Sequence, residues 1–108
     1  MKKVLITGAS GFVGNHLITE LLKNENHTLF GTYRSQTPQR KEERLEYVKA
    51  DLEHKSDVDS LLEKTQPDFI FHLAAQANVP QSIKDPIQTF HANIDSQLNL
   101  FLSLRERE

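Results

Sequence analysis

Apolar and polar positions follow two alternating periods along the 108 residues. Residues 3–7, Lys3-Val4-Leu5-Ile6-Thr7, form a short branched run ending at Gly8, the pattern of a strand buried on both faces. From Phe12 the period changes: Val13, Leu17 and Leu21, with Ile18 and Leu22, recur at helical spacing to about Asn24. Residues 24–27, Asn-Glu-Asn-His, predict a helix end and turn, and 28–33 a second strand. Residues 34–46 are polar, contain Pro38 and mix both charges; they predict a surface connection with a helical turn late in it and a solvated charged face. A brief third strand follows at 46–50. Ser56 and Asp59 stand at capping-box spacing, with Asp in place of the usual Glu or Gln, ahead of a short apolar face from Val58, Leu61 and Leu62. Gln66-Pro67-Asp68 ends that helix, and residues 69–75, Phe-Ile-Phe-His-Leu-Ala-Ala, predict a fourth strand. Pro86 opens a last helix, with Ile87, Phe90, Ile94, Leu98 and Phe101 along one face.

Strands alternating with helices predict an α/β fold, a parallel sheet covered on both faces. Right-handed crossovers put the first strand inside the sheet, in the order 3-2-1-4. That is the first half of a doubly wound, Rossmann-type arrangement.

Three of the four glycines, Gly8, Gly11 and Gly14, fall in one seven-residue window between the first strand and the first helix. Glycines at this junction let the chain turn tightly and let backbone N–H groups approach a pyrophosphate. The helix dipole then adds favourable potential at the phosphates.

The stretch Thr7-Gly8-Ala9-Ser10-Gly11-Phe12-Val13-Gly14 resembles the T-G-x-x-G-F-x-G signature of extended short-chain dehydrogenase/reductases, the NAD-dependent epimerase/dehydratase family. A second block about 60 residues on is similar to the same family through His72-Leu73-Ala74-Ala75, Val79, Ser82, Pro86 and Asn93. Within the family the likeness is to the nucleotide-sugar branch, above all GDP-mannose 4,6-dehydratases and GDP-4-keto-6-deoxymannose reductases, and it runs over essentially the whole chain. The resemblance implies that Gly8, Gly11, Phe12, Val13 and Gly14 surround a pyrophosphate, and that Asp51 and Leu52 bracket an adenine. It implies that Leu73, Ala74, Ala75, Gln76 and Asn93 lie on the ribose and nicotinamide side, with Ser82 toward a sugar nucleotide. Each has a plainer reading: Asp51 as the start of a turn, the alanines as packing, Asn93 as surface.

Dinucleotide folds that prefer NAD carry an acidic residue ~20 positions on, at the ribose 2′-hydroxyl. Nineteen residues after Gly14 stands Tyr33, followed by Arg34 and Ser35, with no carboxylate at the strand end. Arginine pairs with phosphate through a planar fork of donors, so this end of the strand favours NADP, with NAD as the other cofactor. Arg34 starting a solvated loop, or stacking on an adenine with Tyr33, is the competing reading.

Composition narrows the chemistry. The chain is 37% hydrophobic and 26% charged with net charge −2, so it has no basic footprint for nucleic acid. It has no cysteine, and its histidines at 16, 27, 54, 72 and 91 show no metal-ligand spacing. No apolar run approaches the ~18 residues of a membrane span, and the apolar segment after Met1-Lys2-Lys3 is too short for a secretory signal, which predicts a cytoplasmic protein.

The family resemblance implies chemistry by a Tyr made acidic by a Lys four positions later. Neither Tyr33 nor Tyr47 has that lysine. Residues 1–108 are therefore expected to be a partial NAD(P)-binding domain, with the catalytic half and substrate domain beyond Glu108. The whole enzyme would be a nucleotide-sugar dehydratase, reductase or epimerase, of the GDP-mannose type or with a UDP- or dTDP-sugar substrate. A non-catalytic dinucleotide sensor or interaction module is the alternative, and a piece that does not fold alone the third. The stripe on helix 86–105 reads either as core or as a homodimer seam, and the fourth strand is expected at a sheet edge.

Overall fold

The computed structural model describes residues 1–73 and 85–106, with backbone alone at 88–92. Its elements run β1 (Lys2–Thr7), α1 (Phe12–Leu22), β2 (His27–Tyr33), β3 (Leu45–Lys49), α2 (Lys55–Thr65), β4 (Phe69–His72) and α3 (Pro86–Glu106). The four strands form one sheet in the order β3-β2-β1-β4, parallel throughout, as expected from the crossover rule.

Alternation along β1 splits the core in two. Val4 and Ile6 face α1 and pack with Ala9, Ile18 and Leu29. Leu5 faces the other way, onto Ala50, Leu52, Val58, Leu61, Leu62 and Leu100 from the side of α2 and α3. Because both faces are covered, the strand reads as a continuous apolar run, and each such buried side chain contributes about 1.5–3 kcal/mol.

The segment between β2 and β3 is exposed at most positions, as expected, and ends on a single hydrogen-bonded turn from Glu42 to Leu45, but two of its arginines are bound rather than solvated. Arg44 donates at 2.7–2.9 Å to the carbonyls of Leu22 at the end of α1, Asn24 just beyond it and His27 at the start of β2. Arg40 donates to the Asn15 carbonyl at 2.9 Å and to Thr19 Oγ1 at 3.1 Å. The charges thus lash the connection to α1.

The expected capping box at Ser56 and Asp59 does not form. The N-cap of α2 is His54, without a side-chain cap bond, and Asp59 reaches instead to Lys55 and to Ser103 of α3. Gln66, in the left-handed region at φ 41°, closes the helix ahead of Pro67.

On α3 the buried face is not the expected stripe. Ser96, Leu100 and Ser103 are buried, whereas Ile87, Ile94, Leu98 and Phe101 are exposed, so the core reading of that stripe is corrected. The Phe90 side chain lies outside the described residues. On β4, Phe69 and Phe71 are also exposed, and among the described residues the strand pairs only with β1. No described helix is long and apolar enough to cross a membrane.

A β-carbon at Gly14 would lie 2.6 Å from the Ala9 carbonyl oxygen and 2.8 Å from its carbon. Gly14→Ala should therefore destabilise the fold by about 1–3 kcal/mol despite alanine's better helix propensity. Urea unfolding checks this; an unchanged midpoint would show that α1 yields at no cost.

Candidate functional site

Since all four strands run parallel, their C-terminal ends share one edge of the sheet. Backbone bonds hold neighbouring ends together: Ala9 N–H to the Thr32 carbonyl (3.4 Å), Ala50 N–H to Tyr33 (3.0 Å) and Leu73 N–H to Thr7 (3.1 Å). The strand order reverses between β1 and β4, which makes the crevice there the topological switch point where open α/β sheets take ligands.

Gly8, Gly11 and Gly14 meet at the β1–α1 junction with three different duties. Gly8 lies in the left-handed region at φ 69° and turns the chain, its N–H donating to Thr32 Oγ1 at 3.1 Å. Gly14 gives α1 its close approach to β1. Gly11 is required by neither: a β-carbon there would find its nearest neighbour, the Gly8 oxygen, at an ordinary 3.8 Å. Its bareness opens outward. Gly11 is also the N-cap of α1, with no side-chain cap and no acidic residue in the first turn. The first N–H groups of the helix therefore end at an open, positive terminus able to receive an anion. Phe12 and Val13 flank it, 80% and 61% exposed, with the Phe12 ring against His16 at 4.5 Å.

At the end of β2, Tyr33 is half-buried, Arg34 and Ser35 are exposed, and Arg34 Nη2 lies 3.8 Å from Glu53 Oε2. After β3, Asp51 does begin a turn: its Oδ1 accepts the Glu53 N–H at 3.0 Å, and its own N–H donates to Asp57 Oδ2. The Leu52 side chain is in the core, and its carbonyl accepts from Asn99 of α3.

At the end of β4, His72 Nδ1 and Thr7 Oγ1 are 2.7 Å apart. Leu73 packs partly into the core on the α1 side, and Asn93 sits half-buried on α3. Ala74, Ala75, Gln76 and Ser82 lie outside the described residues. Tyr47 lies beneath the glycine turn, in the cluster that includes Ala9. It packs against Gly31 in the α1-side core, where burial holds its phenol above the ordinary value.

Three contributors are not among the residues the sequence singles out. Thr32 fastens the loop through its hydroxyl and carbonyl, and the fourth glycine, Gly31, makes room for Ala9, whose β-carbon would lie 2.7 Å from one at Gly31. The signal for Gly31 is its place inside a strand, where glycine marks a close approach. The third is the Glu53 carboxylate, which arrives from the turn after β3, whereas the spacing rule for a ribose-binding acid points only to the end of β2.

A parallel sheet with a bare glycine turn at its switch point defines the dinucleotide-fold class. The chain belongs to the NAD dependent epimerase/dehydratase family, whose profile matches residues 4–108. A GDP-6-deoxy-D-talose 4-dehydrogenase of Aggregatibacter actinomycetemcomitans is 37% identical over 102 residues, covering 94% of this chain and 30% of the relative. A CDP-paratose 2-epimerase of Salmonella typhi is 32% identical over 111 residues, covering 96% and 33%. The crystal structure of the Thermus thermophilus UDP-glucose 4-epimerase in complex with NAD superposes with a TM-score of 0.83 at 30% identity, covering 96% of this chain and 34% of that one. The chain thus spans 30–34% of the length of these proteins. Their names carry GDP-, CDP- and UDP-linked sugars, so the likeness holds for the family and does not single out GDP-mannose dehydratases.

Burial lowers the His72 pKa below its ordinary 6.5. The unfolded chain therefore takes up this proton at higher pH than the folded one. The stability owed to the neutral ring is present above about pH 6.5 and is lost as pH falls through the folded-state value. His72→Gln should flatten the acid side of the stability–pH curve relative to the parent; denaturant midpoints falling in parallel for both would assign the slope elsewhere.

Proposed function

We propose that the chain binds an adenine dinucleotide, NADP(H) in preference to NAD(H), as the N-terminal portion of a nucleotide-sugar oxidoreductase or dehydratase. The observation that carries this reading is Gly11: a bare position that no contact among the described residues demands, at a helix N-terminus without a side-chain cap on the switch-point edge. Gly8, Gly11, Phe12, Val13 and Gly14 hold the pyrophosphate through backbone N–H groups. Tyr33, Asp51 and the backbone of Leu52 face the adenine, and Arg34 with Ser35 takes the 2′-phosphate. Leu73, Ala74, Ala75, Gln76 and Asn93 serve the nicotinamide side, and Ser82 the sugar nucleotide.

The bound nicotinamide supplies hydride chemistry. The residues of this chain bind and orient it; the 108 residues contain no Tyr-x-x-x-Lys to move a proton. A GDP-linked 6-deoxy sugar is the substrate we favour for the whole enzyme, supported by the 37% identical relative and by the block from His72 to Asn93. We place its action in the cytoplasm. The exposed stripe of Ile87, Ile94, Leu98 and Phe101 supports a homodimer through helix 86–105.

An amide NMR titration with NADPH and then NADH tests the cofactor reading. The Gly8, Gly11 and Gly14 signals should move with both, at lower concentration with NADPH; dispersed spectra that ignore both ligands would refute it. Gly11→Val should abolish binding of either dinucleotide while leaving the unfolding midpoint near the parent's, because its side chain fills the ligand's approach and touches no packed neighbour. Arg34→Ala should weaken NADPH by about 1.5–3 kcal/mol, the size of a charge-assisted bond, and NADH far less. Equal losses would remove Arg34 from the 2′-phosphate.

A further inference from the structure

Glu53 is the unassigned group nearest the cation given to the 2′-phosphate. It belongs to the turn after β3, yet its Oε2 lies 3.8 Å from Arg34 Nη2. Hydrogen bonds hold the two ends in place: the Ala50 N–H donates to the Tyr33 carbonyl, and the Glu53 N–H donates to Asp51 Oδ1. Glu53 is also the more buried partner, its side chain 28% exposed against 71% for Arg34. The carboxylate is thus the anchored member of the pair and the guanidinium the member with freedom to move.

The acidic residue that NAD-preferring folds place at the end of β2 is absent there, but the fold brings a carboxylate to the same end from the neighbouring turn. The geometry points to Glu53 as a specificity-determining residue that moderates the choice between NADP and NAD. It pairs with Arg34 in the free protein, so a 2′-phosphate must draw the guanidinium away from a carboxylate before binding it. An unphosphorylated ribose makes no such demand. Arg34 favours the phosphorylated cofactor, and Glu53 holds that preference down. Other charges at this edge are Asp51, whose Oδ2 is 3.9 Å from His54 Nδ1, and Lys49 at the end of β3. Neither is paired with the Arg34 guanidinium in the described contacts.

This inference rests on the 2′-phosphate role of Arg34, and the test separates the two. The probes are adenosine 2′,5′-bisphosphate and adenosine 5′-monophosphate, which differ only in the 2′-phosphate. They are titrated by calorimetry at low salt into the 108-residue chain and its Glu53→Gln, Arg34→Ala and doubly substituted forms. Glu53→Gln keeps the side-chain length and leaves the backbone bond to Asp51 intact, and Glu53→Ala serves as a second variant. Removing the carboxylate should tighten the bisphosphate about two- to fivefold, the size of an exposed ion pair, and leave the monophosphate unchanged. In the Arg34→Ala background the gain should vanish. The same gain in both backgrounds would mean direct repulsion of the phosphate and would overturn the action through Arg34. No gain, with Arg34→Ala still weakening the bisphosphate selectively, would overturn the role of Glu53 alone. No selective effect of Arg34→Ala would refute the 2′-phosphate assignment and this inference with it.

Discussion

The contact between the first turn of α1 and the end of β1 sets the position of everything around it. At Gly14 the helix comes so near the Ala9 backbone that hydrogen is the largest group the gap accepts. That approach aims the helix axis at the switch point and leaves its uncapped N-terminus there. Ala9 is in turn pinned from below, fully buried and seated over Gly31 of β2. The glycine turn is therefore a fixed feature of the core, clamped between a helix and a neighbouring strand. Preorganised N–H groups of this kind need little rearrangement on meeting an anion.

The C-terminal edge of the sheet combines two kinds of group. The β1–α1 junction offers backbone, which carries no net charge and is the same for any dinucleotide. The ends of β2 and β3 offer side chains, Tyr33, Arg34, Asp51 and Glu53, which differ in charge and shape. The division follows from topology, since parallel strands of alternating βα units deliver one loop each to the same edge.

Much of the fold was legible because it depends on local patterns. The run Val4-Leu5-Ile6 and the spacing of Leu17, Ile18 and Leu21 specify a strand and a helix, and handedness supplies the strand order. The glycine turn was legible for the same reason, as three residues with one backbone requirement. What the sequence did not disclose depends on partners distant along the chain. Arg40 and Arg44 look like solvated charges until α1 offers carbonyls to bind them. Asp59 looks like a cap residue until α3 brings Ser103 against it. On α3 itself, larger side chains at Ile94, Leu98 and Phe101 suggested the core face, whereas Ser96, Leu100 and Ser103 are what the close approach of α2 admits. Glu53 meets Arg34 across two strand ends, a pairing no spacing rule along a single strand can find.

The strand order also grades the site in its resistance to local opening. β1 and β2 are each hydrogen-bonded on both sides, and β3 and β4 among the described residues on one. Amides of the inner strands exchange with solvent only when the sheet as a whole comes apart, while outer strands open by cheaper, partial excursions. The turn from Thr7 to Gly11 and its anchor Thr32 hang from the inner pair. Asp51, Glu53, His72 and Leu73 hang from the outer pair. The glycine turn, with Tyr33 and Arg34 at the end of β2, is thereby built on the strands paired on both sides, whereas Asp51, Glu53, His72 and Leu73 are built on strands whose backbone opens at lower cost.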